Sequence, residues 1–167
     1  MEGMLHWPVR RGPLEWALLP YRRYAQFSGR SQRAEYWWVT ALFALVILLA
    51  AGLVWMSGVD VPALFVQKGP VRAELVFVNP FADVVIGLSG IFFAGSLLPS
   101  LAVSIRRLHD IERSGWWYLG NTIASALPVI GILFKGLYIG YMCRDGTVGP
   151  NKYGADPKDR REIDLFA

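Results

Sequence analysis

The stretch RRLHDIERSGWW, Arg106–Trp117, concentrates the chemistry of this chain. Six of its twelve residues ionise, and it lies between two long apolar segments. Continued helical periodicity puts Arg106, His109, Asp110 and Arg113 on one face, at i, i+3, i+4 and i+7. Asp110 is then placed to pair with Arg106 and Arg113 together. Acid–base catalysis would fall to His109, whose imidazole titrates near neutral pH. Its sequence neighbour Asp110 points elsewhere on a helix surface, so the two make a poor dyad. A metal site would have to recruit Glu112, His6 and Cys143, and their spacing matches no metal-binding signature. The plainer reading is a short connection whose arginines hold phosphates while Asp110 orients them. Trp116 and Trp117 then mark the membrane interface.

Two other clusters carry polar chemistry. In FSGRSQRAEYWW, Phe27–Trp38, Ser28 and Gly29 suggest a turn, and Ser31 is a candidate helix cap. Arg30 and Arg33 sit just ahead of an apolar run, with Trp37 and Trp38 as aromatic anchors. Glu35 is expected to meet Arg106 or Arg107, because both clusters should fall at one leaflet. The third cluster, GPNKYGADP, contains Asn151, Tyr153, Gly154, Asp156 and Pro157. Asn151 and Asp156 offer oxygens to a cation, but the pattern is not an EF-hand loop, and a turn-rich cap is the expectation.

Three apolar runs must position these clusters. Tyr36–Met56 has no charge over 21 residues, and as a helix it would span roughly 30 Å, with Trp37, Trp38 and Trp55 near its ends. Phe81–Ile105 follows, with Pro80 suited to a helix start, Asp83 near the positive helix end and Pro99 as a kink. Its Gly87, Ser89, Gly90, Ala94, Gly95 and Ser96 form a small-residue surface that favours close packing. The third run, Trp116 to about Met142, is interrupted by Asn121, Pro128 and Lys135. Either it crosses as one kinked span, with Lys135 snorkelling or facing other helices, or it forms two half-helices broken at PVIG. Length favours the single span.

The expected fold is therefore an all-α integral membrane protein with three hydrophobic helical segments, at about 36–56, 81–105 and 116–141. A basic region, 1–35, adds an interfacial helix with a stripe of Leu14, Ala17, Leu18 and Tyr21, which Pro20 is expected to break or end. The connection 57–79 holds ELVFV, a short strand or interfacial segment. The tail, 143–167, is polar and turn-rich, with disorder expected at its end.

Composition agrees with the membrane class. Hydrophobic residues make up 54%, aromatic residues 14% and charged residues 18%, where soluble domains carry about 25% charged. The mean hydropathy is +0.34. A net charge of +4 on so apolar a chain reads as attraction to anionic headgroups and not to nucleic acid. One cysteine, Cys143, makes no internal disulfide. No cleavable signal peptide is expected, since residues 1–35 hold six arginines and no apolar core, and Glu2 in place of Gly excludes N-myristoylation.

Lys and Arg number six before the first run, two in the first connection, three in the second and five in the tail. Counted through the second connection, nine oppose two, which puts the amino terminus in the cytoplasm. If the third run crosses, the tail lies outside. If it re-enters, fourteen oppose two.

FSGRSQRAEYWW, LPSLAVSIRRLHDIERSGWW and NKYGADP, in this order around three apolar runs, resemble the domain-of-unknown-function family 805. Its members are small bacterial inner-membrane proteins of the YhaH/YhaI type, and the resemblance covers about residues 14–157. It implies a multi-span protein of the bacterial inner membrane and supplies no reaction. By motif it singles out Gly29, Arg30, Arg33, Glu35, Tyr36, Trp37, Arg106, Arg107, Leu108, His109, Asp110, Arg113, Ser114, Trp116, Asn151, Gly154 and Pro157. The extra amino-terminal residues, the long 57–79 connection and Lys135 depart from the compact family pattern.

The functional expectation is a structural or interaction module that contacts lipid. Arg30, Arg33, Glu35, Arg106, Arg107, His109, Asp110 and Arg113 would form one charged cluster at the cytoplasmic face. Its partners would be anionic headgroups, a second copy or another membrane protein, with no nucleic acid, cofactor or metal. A channel or transporter subunit is the first alternative, with only Asn121, Lys135 and the glycines of the second run as its polar path. An enzyme acting on lipid headgroups through His109 is the second.

Overall fold

The computed structural model describes residues 12–59, 79–128 and 130–158. His6, ELVFV and the end of the tail lie outside them. The described residues form five helices, α1 (Pro13–Arg22), α2 (Arg33–Met56), α3 (Pro80–Asp110), α4 (Trp116–Ala124) and α5 (Ile130–Cys143). No strand occurs among the described residues, and one isolated antiparallel bridge joins Asn151 and Gly154.

α2 and α3 have 24 and 31 residues, hence lengths of about 36 and 46 Å, against a hydrocarbon layer of about 30 Å. Both are apolar enough to cross a membrane. They are not the core of a soluble fold, because their large side chains face outward: Leu48 is 70% exposed, Trp55 76% and Ile91 71%. Such a surface is stable only against lipid.

The chain divides into two compact units. The first, residues 41–97, contains the apolar lengths of α2 and α3. Phe43, Phe92 and Phe93 meet edge to face there, with ring centroids 5.3 to 5.8 Å apart. Asn79 caps α3, its Oδ1 accepting from the Phe81 N–H at 3.0 Å, and Pro80 supplies the preset first position. α3 then continues through Pro99 to Asp110.

The second unit contains residues 1–40 and 98–167. Its α1 runs two residues past Pro20, to Arg22, so Pro20 does not end the helix. A proline within the last turn forfeits one hydrogen bond, and here burial of Ala17, Leu19 and Pro20 offsets that loss. The buried stripe is displaced from the expected one, and Leu14 and Leu18 are exposed.

The third apolar run forms two helices and not one kinked span. Pro128 has no N–H to continue a helix, and the chain turns from Ser125, just ahead of PVIG. Ala126 donates to Ile123 O and Leu127 to Ala124 O, which closes α4 with tight turns. Gly131 lies so close to the Ser125 carbonyl that a Cβ would collide with it. The returning helix is antiparallel: Trp117 meets Tyr141, and Tyr118 meets Tyr138, each pair with ring centroids 6.1 Å apart. With 9 and 14 residues, the arms reach about 14 and 21 Å, and neither spans a bilayer.

Candidate functional site: a buried ion cluster

Three segments distant in sequence meet at the end of α3. The first is the loop before α2, which carries Arg30. The second is the last turn of α3, which carries Arg106, Arg107 and Asp110. The third is the tail after α5.

A Schellman motif ends α3 and fixes the direction of the following connection. Arg113 N–H donates to Leu108 O at 2.9 Å and Glu112 N–H to His109 O at 3.1 Å. Glu112 occupies the left-handed position that glycine usually takes, with φ of 59°.

Asp110 is the centre of the cluster. Its Oδ1 accepts from Arg30 Nε at 2.9 Å and faces Arg30 Nη2 at 2.8 Å. Its Oδ2 accepts from Arg107 Nη1, three residues earlier on α3. Beside it, Glu35 Oε1 accepts from Arg106 Nη2 at 2.5 Å, and Glu35 Oε2 from Ser31 Oγ at 2.8 Å. The expected pairing of Asp110 with Arg106 and Arg113 is absent. Arg106 is drawn to Glu35, and Arg113 lies over the rings of Trp117 and Tyr141, at 5.3 and 5.7 Å.

The arginines also hold backbone carbonyls. Arg30 donates through Nη1 to Gly149 O and through Nη2 to Thr147 O, both at 2.6 Å. Arg107 donates to Met142 O at 3.3 Å and to Arg144 O, and Arg106 donates to Gln26 O at 2.6 Å. Thr147 N–H returns a bond to Asp110 O at 2.9 Å. Gly146 lies against the Asp110 carboxylate, where a Cβ would overlap it.

This geometry overturns the expectation that Arg106 and Arg107 hold lipid phosphates. They are 1% and 0% exposed and donate internally. Glu35, Asp110 and the carbonyls engage all three buried guanidinium groups and offset much of the cost of burying them, with Arg106 Nε left as a buried donor without a partner among the described residues. Asp156 Oδ1 is 4.0 Å from Arg30 Nη2, and its Oδ2 accepts from Gly149 N–H at 3.1 Å. Burial pushes the Arg107 guanidinium below its ordinary pKa, while the adjacent Asp110 charge opposes that shift.

The family model described as "Protein of unknown function (DUF805)" matches residues 24–155, a range that takes in Arg30, Asp110 and the tail carbonyls. The chain belongs to the DUF805 family. It is 32% identical over 145 residues to the inner membrane protein YhaI of Escherichia coli (strain K12), covering 87% of this chain and 97% of that one. It is 34% identical over 149 residues to the inner membrane protein YhaH of the same organism, covering 87% and 98%. No solved structure matches the chain. Its relatives in the DUF805 family are thus inner-membrane proteins, and none of these similarities points to a specific activity.

Within this family member, the remaining sequence candidates have distinct places. Arg33 is partly exposed and pairs with Asp145 at 2.8 Å. His109 stands at the edge of the cluster. Its Nδ1 is 3.2 Å from Gly29 O, and its ring stacks on Tyr153 with centroids 3.9 Å apart. Burial lowers the His109 pKa, the Gly29 bond opposes this, and Lys152 adds to it. Asn151 ties the tail to α3 by donating to His109 O at 3.0 Å, and Pro157 O accepts from Gln32. Gly154 closes the bridge with Asn151, so the tail motif forms a turn. Trp37, Trp38, Trp116 and Trp117 are exposed. Among the described residues, no three His, Cys, Asp or Glu side chains converge as a metal site.

Sequence reasoning missed Thr147, Gly149, Met142 and Gln26, which serve the arginines through backbone carbonyls, and Gly146, whose part is the lack of a side chain. The glycines of DGTVGP were the available signal. A charged cluster facing glycine-rich chain is a place where backbone approaches side chains closely.

Proposed function

We propose that the chain is a two-crossing inner-membrane protein whose cytoplasmic cap is a structural and interaction module, not an enzyme. The observation that carries this reading is the hold of Arg30 and Arg107 on the tail carbonyls of Met142, Arg144, Thr147 and Gly149. A tail bound this way shares a membrane side with Arg30. α2 and α3 then cross, and the α4–α5 hairpin enters and returns. The charge rule supports the same arrangement, since fourteen Lys and Arg fall on the cap side and two in the connection between α2 and α3.

The cluster is a clamp in this reading. Its charges are spent on one another, which leaves His109 without an orienting carboxylate, because Asp110 already serves Arg30 and Arg107. The partner-facing surface of the cap is its rim: Arg33, Lys152 and the exposed tryptophans. Carboxyl-terminal fusions decide the topology. A fluorescent protein that matures only in the cytoplasm should be bright, and an alkaline phosphatase active only in the periplasm should be silent. Active phosphatase would sink the two-crossing reading.

A further inference from the structure

Between the last turns of α3 and the first turn of α4 lies a groove of about 480 Å³. It is separate from the ion cluster. Leu101, Ile105 and His109 form one stripe along α3, and Ser114, Trp116 and Leu119 form the opposite wall. Gly115 sits at the floor, where a Cβ would press on Ile105. From Leu101 to His109 the stripe rises about 12 Å, from apolar to polar.

The polar end has a defined hydrogen-bonding character. A backbone carbonyl only accepts, so the Nδ1 atom facing Gly29 O carries the ring proton. In the neutral ring, Nε2 is then an acceptor, and no described residue donates to it. Ser114 Oγ accepts from the Trp116 N–H at 3.4 Å, which leaves its own hydroxyl proton to donate. No Lys or Arg lines the groove. Arg106 and Arg107 are buried in the cluster, and Arg113 faces Trp117 and Tyr141. The groove lining thus presents one acceptor, one donor, the rings of Trp116 and Tyr118, and an apolar wall, with no cation of its own. Lys152, 5.1 Å from the Tyr153 ring that stacks on His109, is a cation beyond the lining that acts on the imidazole.

We infer that this groove seats one phospholipid with a zwitterionic primary-ammonium headgroup. The ammonium donates to His109 Nε2 and lies by the aromatic rings. A phosphate oxygen accepts from Ser114. One acyl chain follows Ile105, Leu101 and Leu119 toward the hydrocarbon. The lipid, and not a soluble phosphoamine, is the occupant because the apolar wall continues down a membrane span and Trp116 is 78% exposed at its mouth. The inference rests on the two-crossing reading, which puts this end of α3 at the cytoplasmic interface.

The test is native mass spectrometry of the full-length, delipidated protein in detergent, titrated with phosphatidylethanolamine, phosphatidylglycerol and phosphatidylcholine of identical chains. The ethanolamine lipid should bind about tenfold more tightly than either, the scale of one charge-assisted hydrogen bond. Ser114→Ala and Leu119→Trp should each abolish the preference while the thermal unfolding midpoint stays put. Water-soluble glycerophosphoethanolamine should not displace the lipid. Equal binding of the three lipids, a preference for the glycerol lipid, survival of the preference in both variants, or displacement by the soluble headgroup would each overturn the proposal. Reporter sidedness is read independently, so a failure of lipid selectivity is distinguishable from a failure of topology.

Discussion

The two lengths of α3 make opposite use of the same helix. From Pro80 to Leu97 its large apolar side chains, such as Val84, Leu88 and Ile91, are exposed. From Leu98 to Asp110 it buries Arg106, Arg107 and Asp110. In water this order of burial would be unstable at both ends. In a bilayer the apolar length needs no protein cover, because lipid solvates it as well as another leucine would. The charged length needs protein cover, because a buried ion without partners loses its solvation without replacement. The stability of this protein should therefore concentrate in its most polar residues.

The sharpest way to break that contrast is Asp110→Ala. It leaves Arg107 buried with no carboxylate partner among the described residues and Arg30 with only Asp156, 4.0 Å away. A loss of about 3–5 kcal/mol is expected, as for removing one partner of a buried pair. Thermal unfolding in mild detergent, or folded yield in membranes where the loss is complete, reads it. A fall of under about 1 kcal/mol would mean that the cluster is wet and the contrast false.

Next is Gly146→Ala, which adds one methyl where the Asp110 carboxylate already sits. Overpacking of this kind costs about 1–3 kcal/mol. The same change at Gly87, where nothing lies within 4 Å of an added Cβ, should be close to neutral. Equal effects at the two glycines would show that the tail is not held against α3.

Those two predictions rest on features of unequal legibility. The spans were readable because an uncharged run of 21 residues in Tyr36–Met56 has few other interpretations. The pairing of Glu35 with Arg106 was open to reasoning, since both clusters had to fall at one leaflet. The partners of Asp110 were not. Helical spacing offers Arg106 at i−4 and Arg107 at i−3 as near equals. Glu35 drawing off Arg106, and Arg30 arriving from 80 residues away, are tertiary facts. The break in the third run was legible only as the alternative to one kinked span, for another reason. A length argument treats 116–142 as one helix of about 40 Å, and only the antiparallel, edge-to-face meeting of Trp117 with Tyr141 reveals two short ones.

Glu112→Gly sharpens the contrast from the stabilising side. A glutamate at φ of 59° carries left-handed strain of about 1–2 kcal/mol, which glycine relieves by lacking a Cβ, less the cost of its own greater unfolded entropy. A gain of about 1 kcal/mol is expected in the same unfolding measurement. No gain would mean that the Glu112 side chain makes a compensating contact.

The pH dependence of the cap should be smaller again and has a defined sign. His109 is lowered in the fold from its ordinary value of 6.5, chiefly by burial. The unfolded chain then takes up a proton as pH falls below that value while the folded chain resists. Stability is level above it and declines as pH falls through it, until the folded pKa is passed. His109→Gln should flatten this decline between pH 7.5 and 5.5. An equally steep decline in the variant would assign it to other groups.

The smallest effect tests the lipid side of the contrast. Leu48 is 70% exposed in the apolar length of α2, whereas Leu108 is fully buried in the cap. Leu108→Ala should cost about 2–5 kcal/mol, the range for a cavity in packed protein. Leu48→Ala should cost under about 0.5 kcal/mol, because the methyl groups it removes were touching lipid or detergent in both states. A loss above about 1 kcal/mol at Leu48 would mean that this face of α2 packs against protein in the membrane. The apolar length would then depend on a protein partner, a second copy of the chain among the candidates, and its exposure in the single chain would be the surface left by that partner.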